Sequence, residues 1–206
     1  MVKASYTTLV KLNHKFKVKK LIQLKYNTTA PSYDNLYKSE QLEKYSEIEG
    51  VLRNSILKKR NVAILDAGCG TCLLLEYLYQ HILKSEKYTQ VYYVGLDFSI
   101  GMLNQAKKRV HNLELLVDLV LADIDYLPLR SRVFHILTVI TVIQNLPDIK
   151  TSLSELLRVL RDEGKLIISY PKKSNNTILD YIIRNSISGV RVLSSKSKDL
   201  ILYGTK

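Results

Sequence analysis

Apolar positions along the chain follow two rhythms that take turns. From Ser39 to about Lys59, Leu42, Tyr45, Ile48, Leu52 and Ile56 recur at steps of three and four. That spacing predicts an amphipathic helix with Ser39 as its N-cap. Val62–Ala67 is a short apolar run ending at glycines, followed by helical spacing over Leu73–Leu83. The same step then repeats. Val91–Leu96, Leu115–Leu121, Phe134–Thr141 and Lys165–Tyr170 predict strands, and Ser99–Val110 and Asp148–Leu160 predict helices. Apolar runs separated by periodic helices imply a parallel sheet covered on both faces.

The two ends of the chain break this rhythm. Thr177–Asn185 reads as a helix, and Val190–Leu193 and Leu200–Tyr203 read as strands joined by a polar link too short for a crossover. Only a hairpin fits, so an antiparallel pair ends an otherwise parallel sheet of seven strands. Near the start, Phe16 and Val18 alternate with lysines like a strand, while Phe16, Lys20 and Leu24 share a helical face. Both readings stay open for residues 1–26. Asn27-Thr28-Thr29-Ala30-Pro31-Ser32 is a break signal. It divides a basic extension, 1–30, from one α/β domain, 31–206.

Charge sharpens the view of that extension. The formal net charge is +12, and Lys3, Lys11, Lys15, Lys17, Lys19, Lys20 and Lys25 lie in a stretch that holds no acid. Such a field favours polyanions, and RNA is the expected partner, although a basic face also serves solubility. The N-terminus lacks the apolar core of a secretory signal, and no apolar run approaches the ~20 residues of a membrane span. A cytoplasmic protein with no membrane partner is expected. Cys69 and Cys72 form a lone CxxC, and His14, His81, His111 and His135 are scattered. Four ligands at metal-site spacing are therefore missing and no metal is expected. The cysteines read as small residues of a turn.

Three strand ends carry the chemistry. Asp66-Ala67-Gly68-Cys69-Gly70 closes the first strand and opens a helix, where glycines let a ligand approach free backbone N–H groups. Asp97 ends the second strand, a place from which a carboxylate accepts both hydroxyls of a ribose. Its competing role is to cap the next helix, which Ser99 can do instead. Asp123 follows the third strand, with Ile124 beside it to pack on a ring.

In this order and spacing, the stretches LDAGCGTC, VGLDFSIGML, LADIDYLPL, FHILTVITVIQNLPD and LRVLRDEGKLIIS resemble the class I S-adenosylmethionine (SAM)-dependent methyltransferases, over about residues 33–205. The resemblance implies a Rossmann-like methyltransferase fold with SAM as cofactor. By position, Asp66, Gly68 and Gly70 would surround the methionine end, Asp97 the ribose, and Asp123 and Ile124 the adenine. Phe98 and Met102 would line the pocket. Tyr33-Asp34-Asn35-Leu36-Tyr37 and Glu43-Lys44-Tyr45 resemble the lid segment of rRNA guanine-N7, tRNA wobble-uridine and quinone-biosynthesis methyltransferases. Tyr33, Tyr37 and Tyr45 are thus lid candidates, with simple packing as the alternative. The chain departs from the family at Cys72, which replaces a glycine, at His135, which replaces an aspartate, and at Asp162-Glu163-Gly164, which replaces Pro-Gly-Gly.

The acceptor is harder to read. Thr141-Val142-Ile143-Gln144-Asn145-Leu146-Pro147 stands where enzymes that methylate exocyclic amines of bases carry Asn/Asp-Pro-Pro-aromatic, so that chemistry is disfavoured. Gln144 and Asn145 are the acceptor-side candidates, unless they cap the next helix. Methyl transfer from a sulfonium mainly needs alignment, so no dedicated base is required. The expected activity is methyl transfer to a tRNA or rRNA base. The alternatives are a small-molecule or protein methyltransferase, and an idle SAM-fold subunit. A small activator protein at the sheet edge is a further partner that the resemblance allows.

Overall fold

The computed structural model describes residues 6–86, 88–174, 183–193 and 196–206, with side chains from His14 onward. Seven strands form one sheet in the order β3-β2-β1-β4-β5-β7-β6. They span Asn61–Ala67 (β1), Gln90–Asp97 (β2), Leu116–Leu121 (β3), Phe134–Ile140 (β4), Leu160–Pro171 (β5), Ser188–Leu193 (β6) and Asp199–Thr205 (β7). Strands β1 to β5 run parallel, and β7 inserts antiparallel between β5 and β6. The hairpin is therefore present, with its second strand next to the body of the sheet. The strand order reverses between β1 and β4, and ligands of open α/β sheets bind outside the strand ends at such a point.

Side chains of each strand alternate between two cores. Ile64, Tyr93, Ile136, Ile167 and Ile201 face one. Leu65, Val94, Leu137, Leu166 and Leu202 face the other. The first core is closed by three helices, α2 (Tyr33–Ile56), α3 (Leu73–Leu78, continued by a wider turn Tyr79–Leu83) and α4 (Ile100–Val110). The second is closed by α5 (Ile149–Val159) and by Ile183 and Ile187. Ile48, Leu52 and Ile56 of α2 are fully buried, as their spacing predicts. Each contributes roughly 1.5–3 kcal/mol by leaving water.

Local readings differ from the structure in a few places. Helix α2 starts at Tyr33, six residues before the predicted cap, and Ser39 lies inside it. Pro31 in the preceding turn supplies the break that starts α2 early. Strand β5 begins at Leu160 because Leu160 pairs with Phe134, before the Arg161–Gly164 segment, in which Glu163 takes φ +60°. The predicted helix 177–185 falls largely outside the described residues, with 183–186 helical. Residues 6–26, whose conformation stayed open, form one long helix, α1 (Tyr6–Thr29), which runs on through Asn27–Thr29, so that the break comes only at Ala30-Pro31-Ser32. No helix of the described residues is long and apolar enough to cross a membrane.

A buried ionic cluster ties α2 to the last strand. The Lys44 ammonium is wholly buried and pairs with Glu40 at 2.9 Å and Asp199 of β7 at 3.2 Å. It also donates to the Thr141 hydroxyl at 2.9 Å. Asp199 accepts from Thr141 at 2.8 Å and from Ser169 at 2.7 Å. Thr141 takes φ +59°, a left-handed conformation rare for a β-branched residue. Its N–H donates to Ser169, so both ends of the residue are held while β4 turns into the site.

Candidate functional site

At the reversal point, a cavity enclosing about 700 Å³, its open mouth included, lies between the carboxyl ends of β1, β2 and β4 and helix α1. Its walls include Gly68, Gly70, Asp97, Phe98, Met102, Asp123 and Ile124, the residues placed there from sequence with one exception. Gly68 takes φ +81° and its N–H donates to the Leu96 carbonyl at 2.7 Å. A Cβ on Gly68 would fall 2.3 Å from the Val142 side chain, so only glycine fits. Gly70 takes φ +54° and the space beside it is empty, leaving its backbone open to a ligand.

Asp97 is the electrostatic centre of this wall. One carboxylate oxygen accepts from the Gly70 N–H at 2.9 Å and the other from the Ser99 N–H at 2.8 Å. Burial raises its pKa, opposed by backbone hydrogen bonds from Ser99, Gly70 and Phe98. Ser99, not Asp97, caps α4 by accepting from the Met102 N–H. The backbone thus fixes the orientation of the Asp97 carboxylate, which keeps acceptor capacity toward the cavity for a hydroxyl. This arrangement fits an adenosine ribose.

The exception is Asp66. It is 3% exposed and accepts from Tyr93 Oη at 2.5 Å and Thr138 Oγ1 at 2.7 Å. It lines a smaller neighbouring cavity with Gln41, Tyr45 and Thr71, which shares Tyr33, Gly68, Gly70 and Ile140 with the wall of the main one. Burial pushes its pKa up to about 6, against the two hydrogen bonds. Thr71 donates to Asp34 at 2.7 Å, and Arg109 bonds both Asp34 and the Thr71 carbonyl. The start of α2 is thereby pinned to the glycine loop.

The tyrosines and the acceptor candidates separate in three dimensions. Tyr33 lines the main cavity, and Tyr37 lies against it with ring centres 4.9 Å apart but is exposed. Tyr45 is buried against Tyr77. Asn145 faces the cavity and donates to Tyr26 Oη at 3.1 Å. Gln144 folds back to donate to the Thr141 carbonyl, and its own side-chain oxygen is buried without a partner among the described residues. Neither caps α5, whose cap is Asp148. His135 sits at a bulge at the start of β4, away from the site. There it accepts from the Ala63 N–H, and burial, then the Arg161 charge, lowers its pKa. Cys69 and Cys72 are free and buried, with sulfurs packed over Gly95. No metal-binding cluster exists among the described residues.

Helix α1 forms the wall that motif reading missed. Lys19 bonds Asp123 at 2.6 Å and Asp125 at 2.5 Å. Burial lowers its pKa, but the hydrogen bonds to Asp123 and Asp125 outweigh this and the net shift is upward. Gln23 donates to the Phe98 carbonyl at 2.7 Å. Asn27 accepts from Ser99 Oγ at 2.7 Å and Gly101 N at 2.9 Å, and Lys15 pairs with Asp148. Ile22 and Tyr26 complete this side of the cavity. The one signal in the sequence was Gly101. A Cβ there would meet the Asn27 backbone at 2.9 Å, so glycine at this position marks close helix approach.

The family model described as Methyltransferase domain matches residues 65–168, half of the chain. The chain belongs to that family. A ubiquinone/menaquinone biosynthesis C-methyltransferase of Campylobacter jejuni is 28% identical over 197 residues, covering 91% of this chain and 80% of that protein. A demethylmenaquinone methyltransferase of Lactobacillus johnsonii is 28% identical over 156 residues, 75% of this chain and 62% of its own. Among solved structures, the magnesium protoporphyrin IX methyltransferase of Synechocystis with bound SAM superposes with TM-score 0.70 at 17% identity, covering 92% of this chain and 97% of that one. Fold and family are therefore those of the SAM-dependent methyltransferases.

Proposed function

We propose that this methyltransferase holds SAM across the two neighbouring cavities and delivers its methyl group to a small aromatic ring of the hydroquinone class, leaving S-adenosylhomocysteine and a displaced proton. Asp97 takes the ribose, Ile124 and Met102 flank the adenine, and the smaller cavity beside Gly70 and Gln41 takes the amino-acid end. The sulfonium supplies an electrophilic methyl group when bound. The chain itself has to align an acceptor and keep water away, which carries much of the barrier in such transfers.

The acceptor reading is carried by the end of the cavity beside β4. Ile140, Val142, Leu146 and Pro147 wall it with Tyr26 and Tyr33, and Thr141 and Asn145 supply the nearby side-chain polar groups. That lining suits a flat, weakly polar ring with one or two hydroxyls. The names of the Campylobacter and Lactobacillus relatives support it. The RNA reading rests on fewer lysines than the sequence suggests, because Lys15 and Lys19 are spent on carboxylates of the same chain.

Calorimetric titration with SAM and S-adenosylhomocysteine, with NAD as control, tests the cofactor. Transfer of a radiolabelled methyl group to a reduced demethylmenaquinone, compared with bulk tRNA and rRNA, tests the acceptor. Micromolar SAM binding and label in the quinone fraction are expected. Label in RNA alone would overturn the acceptor, and NAD binding without SAM binding would overturn the cofactor.

A further inference from the structure

Helix α1 has two unlike halves. At 3.6 residues per turn, Lys15, Lys19, Ile22, Gln23 and Tyr26 share the half that meets the body. Phe16, 61% exposed, lies at the edge between the two halves, and Leu21 and Leu24 lie on the other half, 67% and 59% exposed. Lys17, Lys20 and Lys25 are exposed on that same half. None of these three lysines has a carboxylate partner among the described residues, whereas Lys15 and Lys19 do.

A second observation points to the same surface. Ile100, Leu121 and Tyr126 are also about half or more exposed, and all lie at or just after the carboxyl ends of β2 and β3, the end of the sheet that α1 crosses. Phe16 and Leu121 line one shallow groove with Phe98, and Lys19 stands over the Tyr126 ring at 6.0 Å. Single exposed apolar residues are ordinary, but a group of them around a cavity mouth, interspersed with lysines, marks an interaction surface.

We propose that the outward half of α1, with the apolar side chains beside it, docks this enzyme on an anionic lipid bilayer. Lysines on such a face meet anionic headgroups, and leucine and phenylalanine side chains enter the boundary of the acyl region. RNA would use the lysines and could stack on Phe16, but it has no use for Leu21 and Leu24. The expectation of no membrane partner, drawn from the lack of a spanning segment, does not bear on a helix that lies on the surface. Docking here brings the bilayer to the mouth of the cavity. That consequence rests on the hydroquinone reading above, whereas the docking itself does not.

Flotation of the purified full-length chain with phosphatidylcholine vesicles, with and without phosphatidylglycerol, tests this. Binding only to the phosphatidylglycerol vesicles, weakening with salt, is expected. The Lys17→Gln, Lys20→Gln, Lys25→Gln triple variant should bind on the order of 100-fold more weakly, at about fivefold per lysine. Leu21→Ser with Leu24→Ser should cost at least tenfold. SAM titration should be unchanged in both variants, which shows that they fold. Absence of binding to anionic vesicles overturns the proposal. So does binding that the leucine variant leaves unaltered, with RNA then competing it away, because the surface would be a polyanion site. Vesicle binding without methyl transfer to a quinone would sink the acceptor reading and leave the docking surface standing.

Discussion

The two walls of the cavity are built on opposite principles. The strand-end wall is backbone architecture: Gly68, Gly70 and Asp97 are set by β1 and β2 and by hydrogen bonds to main-chain N–H groups. The α1 wall is held by side chains, Lys19 on two aspartates, Gln23 on a carbonyl and Asn27 on the start of α4. Backbone-set walls move only when the sheet moves. A wall clasped by side chains is released one group at a time: the partly exposed Lys15–Asp148 pair contributes little and is screened by salt, while the largely buried Lys19 pairs hold its centre. The difference suggests one wall for recognition and another for access.

The sharpest way to break the comparison is Asp97→Ala. Two hydrogen bonds to a charged group at roughly 1.5–3 kcal/mol each predict a loss of at least about 100-fold in SAM affinity by calorimetry. A loss of only a few-fold would mean that the strand-end wall does not dominate recognition.

Asp66→Asn probes the support behind that wall. A carboxyl whose folded pKa is raised to about 6 adds stability that is fully present below its unfolded value and is lost as pH rises through about 6. The stability difference between wild type and Asp66→Asn should therefore move in favour of asparagine between about pH 4 and 6. The shift should be on the order of 3 kcal/mol at most, read from urea unfolding. A difference that stays flat with pH would place the Asp66 titration elsewhere.

Gly101→Ala acts on the α1 wall. Its methyl group would press on the Asn27 backbone, and overpacking of about 1–3 kcal/mol should shift α1 outward. Roughly tenfold weaker SAM binding at nearly unchanged melting temperature of the sheet is the expected outcome. The smallest effect belongs to Lys15→Met. Loss of its partly exposed pair with Asp148 should speed hydrogen exchange in α1 by several-fold, about 1 kcal/mol, while β1 and β2 amides keep their protection. Equal acceleration in both regions would erase the distinction between the walls.

Much of the strand-end wall was legible because its chemistry is local. A strand, a glycine turn and a carboxylate lie within a few residues, so Gly68, Gly70, Asp97 and Ser99 could be placed from the sequence alone. Asp66 was assigned to the right neighbourhood, but Tyr93 and Thr138 reach its carboxylate from other strands. The α1 wall was illegible for the same reason in reverse. Its lysines alternate with apolar residues all round the helix, so no period marked an inner face, and Asp123, Asp125 and Asp148 lie about a hundred residues or more away. A run of positive charge looks the same in sequence whether its partner is another molecule or the chain itself. Tyr45 shows a milder version, a tyrosine that packs in the core against Tyr77 and also lines the smaller cavity.

Lys44 and Asp199 add a dimension of time. Their pairing joins an early helix to the final strand, and synthesis at 5–20 residues per second separates the two by on the order of ten seconds. Until β7 leaves the ribosome, Lys44 has Glu40 but lacks the second carboxylate of its buried site, and Thr141 lacks the Asp199 acceptor beside its left-handed turn. The β4 side of the cavity, where Thr141 lies, thus takes its final shape only once β7 is in place.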